Sequence, residues 1–136
     1  MQTLFENEKF KWINLQNPTK IELNEIATKY CFQKLTIEDS LEPGHLPKYE
    51  SDDSKVSFLL IRFFDKEHRM LKNTVREFSH KISIYIGADF IVTVHQKETD
   101  IFEKIHRRVH TIFSFRHLTH IPLMSLLITA IRNRRL

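Results

Sequence analysis

Residues 56–64 read VSFLLIRFF, and the assignment of this run decides the fold. Apolar residues fill both sets of alternating positions, so neither face of the segment is polar. The run is too short for a convincing helix and rich in residues that favour β-structure. It reads as a central strand covered on both sides. Such a strand needs helices above and below it. The expected architecture is therefore α/β, a three-layer α/β/α sandwich around a mixed central sheet.

Working towards the N-terminus, residues 11–15 (KWINL) read as a short strand anchored by Trp12. Asn17-Pro18-Thr19 then opens a helix. Proline is tolerated in a first turn, and Thr19 with Glu22 has the spacing of a capping box. Leu23, Ile26, Ala27 and Tyr30 recur at helical spacing and give that helix a buried face. A second, short helix is expected over residues 33–41, ended by Pro43-Gly44, with Leu35 and Leu41 facing the core.

Towards the C-terminus, residues 64–77 are polar and read as an exposed connection. Phe78, His80, Ile82, Ile84 and Ile86 alternate with Ser79, Lys81, Ser83 and Tyr85, which predicts a strand with one wetter face. Gly87-Ala88-Asp89 is a tight turn, and residues 90–95 (FIVTVH) return as the hairpin partner. Asp100 and Glu103 mark the start of another helix, with Ile101, Phe102, Ile105, Val109, Ile112 and Phe113 as its buried stripe. A last helix is expected from about Pro122. The whole chain is expected to form one domain over residues 1–136.

Composition narrows the function classes. The single cysteine, Cys31, excludes an internal disulfide and fits a reducing compartment; between Tyr30 and Phe32 it is expected to be a buried thiol. With two glycines, Gly44 and Gly87, the chain has no glycine-rich phosphate loop. No signal peptide opens it, and the apolar segment 121–131 is about half of a bilayer span, so the chain as it stands is expected to be soluble. No arrangement of nucleophile and base suggests an enzyme. The charge is uneven: residues 1–67 carry nine Lys/Arg and twelve Asp/Glu, and residues 68–136 carry twelve and five. The basic half can serve an acidic partner or a nucleic acid, although its cations are scattered and follow no binding motif.

Two groups of residues are candidate metal ligands. His106, His110, His117 and His120 fall close together, and the first two share one helix face, as zinc ligands can. Arg107, Arg108 and Arg116 interleave them, however, which is what a solvated basic helix looks like; His80 and His95 are expected to be ordinary surface or edge histidines. The second group is residues 35–53, LTIEDSLEPGHLPKYESDD. It holds Glu38, Asp39, Glu42, Glu50, Asp52 and Asp53 against one cation, Lys48, around the Pro43-Gly44 turn. Clustered carboxylates at a rigid turn suit a hard cation, and equally an acidic solvated loop.

Here the sequence resembles the N-terminal cytosolic domain of the CorA family of magnesium channels. The resemblance rests on Trp12-Ile13 before the helix at Pro18, on Leu35, Ile37, Glu38 and Asp39, on Leu46-Pro47-Lys48-Tyr49-Glu50 leading into a strand, and on residues 91–95 closing the hairpin. These motifs run in order along nearly the whole chain. The resemblance implies a regulatory domain on the cytoplasmic side of the membrane, part of a homopentamer whose stalk and two membrane helices are absent from this chain. It implies a regulatory Mg2+ held between subunits, and only weakly by this domain alone, with Asp39 as first ligand and Glu38 beside a second ion. No nucleic-acid partner is expected, since the basic residues follow no binding motif. Co2+ or Zn2+ is an alternative ion, because zinc-transporting relatives share the domain type. Leu46 stands where the family has Arg, and Thr129, Arg132 and Asn133 stand where it often has acids. A free-standing interaction domain using the basic half is the competing reading.

Overall fold

The computed structural model describes residues 1–51, 55–64 and 79–112. Six strands and three helices lie among them: β1 (Gln2–Glu6), β2 (Lys11–Gln16), α1 (Lys20–Tyr30), α2 (Lys34–Leu41), β3 (Lys48–Glu50), β4 (Ser57–Phe64), β5 (Ser79–Ile86), β6 (Phe90–His95) and α3 (Ile101–Ile112). The strands form one sheet in the order β1-β2-β6-β5-β4-β3. Its pairs are antiparallel except β2 with β6, which run parallel from Lys11↔Phe90 to Gln16↔His95. The mixed sheet expected from the sequence is present.

Alternation along each strand sends neighbours to opposite faces, and the sheet separates two cores. On one face Trp12, Phe63, Ile82, Ile84 and Ile91 pack with Ile101, Phe102 and Ile105 of α3. On the other, Ile13, Phe58, Leu60, Tyr85, Val92 and Val94 pack with Leu23 and Ala27 of α1, Phe32, and Ile37 of α2. Helices therefore cover both faces, which makes the three layers. Each fully buried large aliphatic or aromatic side chain contributes roughly 1.5–3 kcal/mol. That burial is what holds the thin two-helix layer to the sheet.

Local signals operate as expected at several points. Glu22 N–H donates to Thr19 Oγ1 (3.1 Å) and Thr19 N–H donates to Glu22 Oε2 (2.8 Å), completing the capping box. At the β5–β6 turn, Gly87 N–H donates to the Phe90 carbonyl (3.0 Å). A Cβ on Gly87 would lie 2.1 Å from the Phe90 ring, so this position demands glycine for close approach.

Other expectations are corrected. The run 56–64 is an interior strand, but β5 and β6 hold the centre of the sheet and β4 lies next to the edge strand β3. Leu59 and Ile61 are accordingly only partly buried. The supposedly wetter face of β5 is buried throughout, because α2 lies over Lys81 and Tyr85. His80 and His95 are buried too, stacked on Phe63 and Phe102. Leu35 is 71% exposed, and Thr36, Ile37 and Ser40 take the inward positions of α2. Cys31 is exposed: it ends α1 in the left-handed region (φ 61°), and Phe32 takes the buried place.

The last helix and the connection at 65–78 lie outside the described residues. Among those described, no helix is long and apolar enough to cross a membrane.

Candidate metal centre

The acidic stretch divides between α2, a turn, and edge strand β3. Leu41 ends α2, Pro43-Gly44 reverses the chain, and Lys48–Glu50 pairs with β4 through Lys48↔Leu60 and Glu50↔Phe58. This reversal folds the turn back over the end of the helix. Asp39, Glu42 and His45 converge there, each offering one ligand atom within 4.8 Å of the others. Among the described acids of the stretch Asp39 is the least exposed, and Glu38 on the same helix is exposed and outside the convergent set.

The imidazole sets the chemistry of the cluster. Its Nδ1 lies 2.9 Å from the Leu46 carbonyl, which can only accept, so Nδ1 carries a proton in that bond. Its Nε2 lies 3.1 Å from Asp39 Oδ1. With Nδ1 protonated in the neutral ring, Nε2 and the carboxylate oxygen are both acceptors. A proton or a metal ion between them makes the pair attractive, and without one the two lone pairs face each other. The other Asp39 oxygen is ion-paired to Lys48, which also reaches Glu50 at 2.8 Å. Its bonds to Asp39 and then Glu50 raise the Lys48 pKa, against the smaller opposing effect of burial.

Two further cations lie beneath the turn. Lys81 on β5, 6% exposed, donates to the carbonyls of Asp39 (2.8 Å), Ser40 (2.8 Å) and Glu42. Its pKa is lowered to about 8, mainly by burial and then by Arg62, while Glu42 and Asp39 act in the opposite sense. Arg62 on β4 donates from Nε to the His45 carbonyl (2.9 Å), from Nη1 to Ser79 Oγ (2.9 Å) and from Nη2 to the Pro43 carbonyl. On the inner side of α2, Tyr85 donates to the Thr36 carbonyl (2.9 Å) and meets Ser40 Oγ at 2.7 Å; burial pushes its phenol up to about 12.

Sequence reasoning reached Asp39 and Glu38 but missed Glu42 and His45 as partners of Asp39, and it missed Lys81 and Arg62 altogether. A histidine beside a Pro-Gly turn, three residues from an acid, was the available signal for His45. The buried cations gave none, since their acceptors are backbone carbonyls far along the chain. Of the histidine group, His106 is partly buried on α3; the His110 side chain, His117 and His120 lie outside the described residues, as do Asp52 and Asp53.

Comparison with known proteins gives one family and one fold. Residues 7–134 match the family described as CorA-like Mg2+ transporter protein. No protein with a curated description matches the chain. Among solved structures, the chain is similar to the complete CorA magnesium transporter of Methanocaldococcus jannaschii. The TM-score is 0.70 at 17% identity, covering 96% of this chain and 39% of that one. It is also similar to the ZntB cytoplasmic domain of Vibrio parahaemolyticus, with a TM-score of 0.69 at 12% identity over 94% of this chain and 50% of that one. The soluble domain of the Methanocaldococcus jannaschii CorA matches with a TM-score of 0.61 at 16% identity, over 93% and 46%. The chain thus spans half or less of the length of each of these structures.

Proposed function

The chain belongs to the CorA-like Mg2+ transporter family, and from that premise we propose that it is the ion-sensing domain of a divalent-cation transporter. In this reading the domain lies on the cytoplasmic side of a membrane and assembles with other copies of itself. A divalent ion bound at Asp39 bridges neighbouring subunits and holds the assembly closed. Carboxylates brought together across an interface repel when empty, and an ion turns that repulsion into attraction. It stabilises only the arrangement it bridges, so it shifts the closed–open balance by its differential affinity.

One observation supports the reading: Asp39, Glu42 and His45 bring ligand atoms within 4.8 Å of one another, and the facing lone pairs of Asp39 and His45 become attractive when a metal ion or a proton lies between them. Mg2+ keeps several waters and takes one or two protein carboxylates, which gives weak, exchangeable binding. Glu38, exposed one residue earlier, is free to approach a second ion or a neighbouring subunit. The imidazole also supports a second reading of the ion itself, since nitrogen donors suit Zn2+ or Co2+ better than Mg2+.

The test uses Mn2+, whose free concentration is read directly by its paramagnetic resonance signal, titrated into wild type and Asp39→Ala. Wild type is expected to bind and the variant to lose that binding. Identical isotherms would overturn the role of Asp39. Competition by Mg2+ and Zn2+ then ranks the ions: displacement by micromolar Zn2+ with millimolar Mg2+ inert would favour the zinc reading.

A further inference from the structure

Helix α2 leaves its last carbonyls to be met from outside. It ends at an extended Glu42 (ψ 117°), with no glycine cap and no basic residue in its last turn. The final carbonyls of a helix lack partners within it and carry the negative end of its dipole. Here the partner comes from the sheet. The Lys81 ammonium has three protons, and the three nearby acceptors are the carbonyls of Asp39, Ser40 and Glu42. Gln96 Nε2 adds a second bond to the Ser40 carbonyl (2.7 Å).

Directly across the ladder from Lys81 stands Arg62, which takes the carbonyls of Pro43 and His45. Like charges opposite each other on adjacent strands are unfavourable for the sheet. This pair is therefore not explained by strand pairing. What the two side chains share is their target: together they bind five carbonyls between residues 39 and 45. Three of those five residues, Asp39, Glu42 and His45, are the ones whose side chains converge.

We propose that Lys81, backed by Arg62, is a positioning residue for the candidate metal centre, fixing the backbone of the turn so that Asp39, Glu42 and His45 present their donors to one cation. This rests on the ion-site reading above. Lys81 touches no ion; it acts through the carbonyls. Loss of a partner that orients metal ligands typically lowers metal affinity by about 10- to 100-fold.

A plain helix cap would lower stability without acting on the ion, so the experiment separates the two. Mn2+ affinity is measured for wild type, Lys81→Met and Leu23→Ala at a temperature where all are folded. Leu23 is a core residue of α1. Amide hydrogen exchange is followed at Glu42, whose N–H donates to the Glu38 carbonyl. The expected result is that Lys81→Met binds Mn2+ at least about tenfold more weakly and loses protection at Glu42 without any ion. Leu23→Ala is expected to keep wild-type affinity despite its lower Tm. Wild-type affinity in Lys81→Met, or equal losses in both variants, would overturn the proposal. If wild type itself binds no Mn2+, the ion-site reading fails. Unchanged exchange at Glu42 would instead show that Lys81 does not fix the turn. Should Lys81→Met not fold, Arg62→Met takes its place, with weakened Mn2+ binding expected and wild-type binding overturning the proposal.

Discussion

Lys48 is expected to compete with the ion, and replacing it by methionine tests that directly. Its ammonium is paired with Asp39 Oδ2 and lies 2.8 Å from Glu50 Oε1, with the Lys48 and Asp39 side chains 25% and 16% exposed. An incoming ion must displace this ammonium or tolerate it as a neighbour. A partly screened pair of this kind is worth up to about 1 kcal/mol. Methionine keeps the length and apolar stem but removes the charge, so Asp39 no longer has to give up a partner. About 1 kcal/mol corresponds to roughly fivefold tighter binding of Mn2+. Repulsion between a retained ammonium and a divalent ion acts in the same direction, and the gain should shrink in 1 M salt, where the screening length falls to about 3 Å. Calorimetric or resonance titration of the two proteins at 0.15 M and 1 M salt reads both effects. If Lys48→Met binds no more tightly than wild type, the reasoning fails: Lys48 would then be a strut for Asp39, not its resident counter-ion.

Two predictions concern the frame that carries the centre. Gly87→Ala places a Cβ 2.1 Å from the buried Phe90 ring, whose centroid is 4.5 Å from Tyr30. It should cost about 1–3 kcal/mol by overpacking, and an unchanged denaturation midpoint would refute this. His95 is buried, with Nε2 on Asn14 (3.1 Å), Nδ1 on the Lys97 carbonyl (2.8 Å) and its ring on Phe102, while Asn14 Oδ1 is held by Thr93 (2.8 Å). Burial lowers its pKa, with the neighbouring His80 adding to the effect and the Lys97 carbonyl opposing it. The unfolded chain therefore binds a proton there more readily, so its contribution to stability is complete above about pH 6.5 and declines as the pH falls below that value. Urea denaturation of wild type and His95→Gln between pH 7.5 and pH 5 should show the wild-type advantage shrinking towards acid; a constant difference would exclude His95 as the source.

What was legible in the sequence was whatever repeats at short range. The capping box at Thr19, the turn at Gly87 and the apolar run of β4 each carry their signal within a few residues. Strand β1 escaped because a bulge between Thr3 and Phe5 buries Leu4 and Phe5 in succession, which breaks the alternation that marks a strand. Strand β3 escaped because it is three residues long and charged, as short edge strands often are. Leu35 was misassigned because α2 turns Ile37, Thr36 and Ser40 inward, where Tyr85 meets the two polar residues. At the centre, Asp39 and Glu38 were named through a family resemblance. The residues that surround Asp39 depend on the chain reversal at Pro43-Gly44 and on two cations from the sheet, and no local pattern announces either.

The charge balance of the centre bears on how tightly it can hold an ion. Asp39, Glu42 and Glu50 supply three negative charges; Lys48, Lys81 and Arg62 supply three positive ones. The cluster is therefore compensated before any ion arrives, unlike an acidic nest, whose mutual repulsion drives tight binding. A divalent ion gains mainly relief of the facing lone pairs on Asp39 and His45, and it must offset the release of Lys48 from Asp39. The net gain is small, and water must complete the coordination shell. Weak, exchangeable occupancy follows, which is what a sensor of cellular ion levels needs and a structural site does not. The same balance assigns the three cations different parts. Lys48 pairs with a carboxylate and stands in the ion's way, whereas Lys81 and Arg62 donate to the carbonyls of the turn. Neutralising Lys48 and neutralising Lys81 should therefore move ion affinity in opposite directions, although each removes one positive charge from the same few residues. A general electrostatic effect of the cluster would move both the same way.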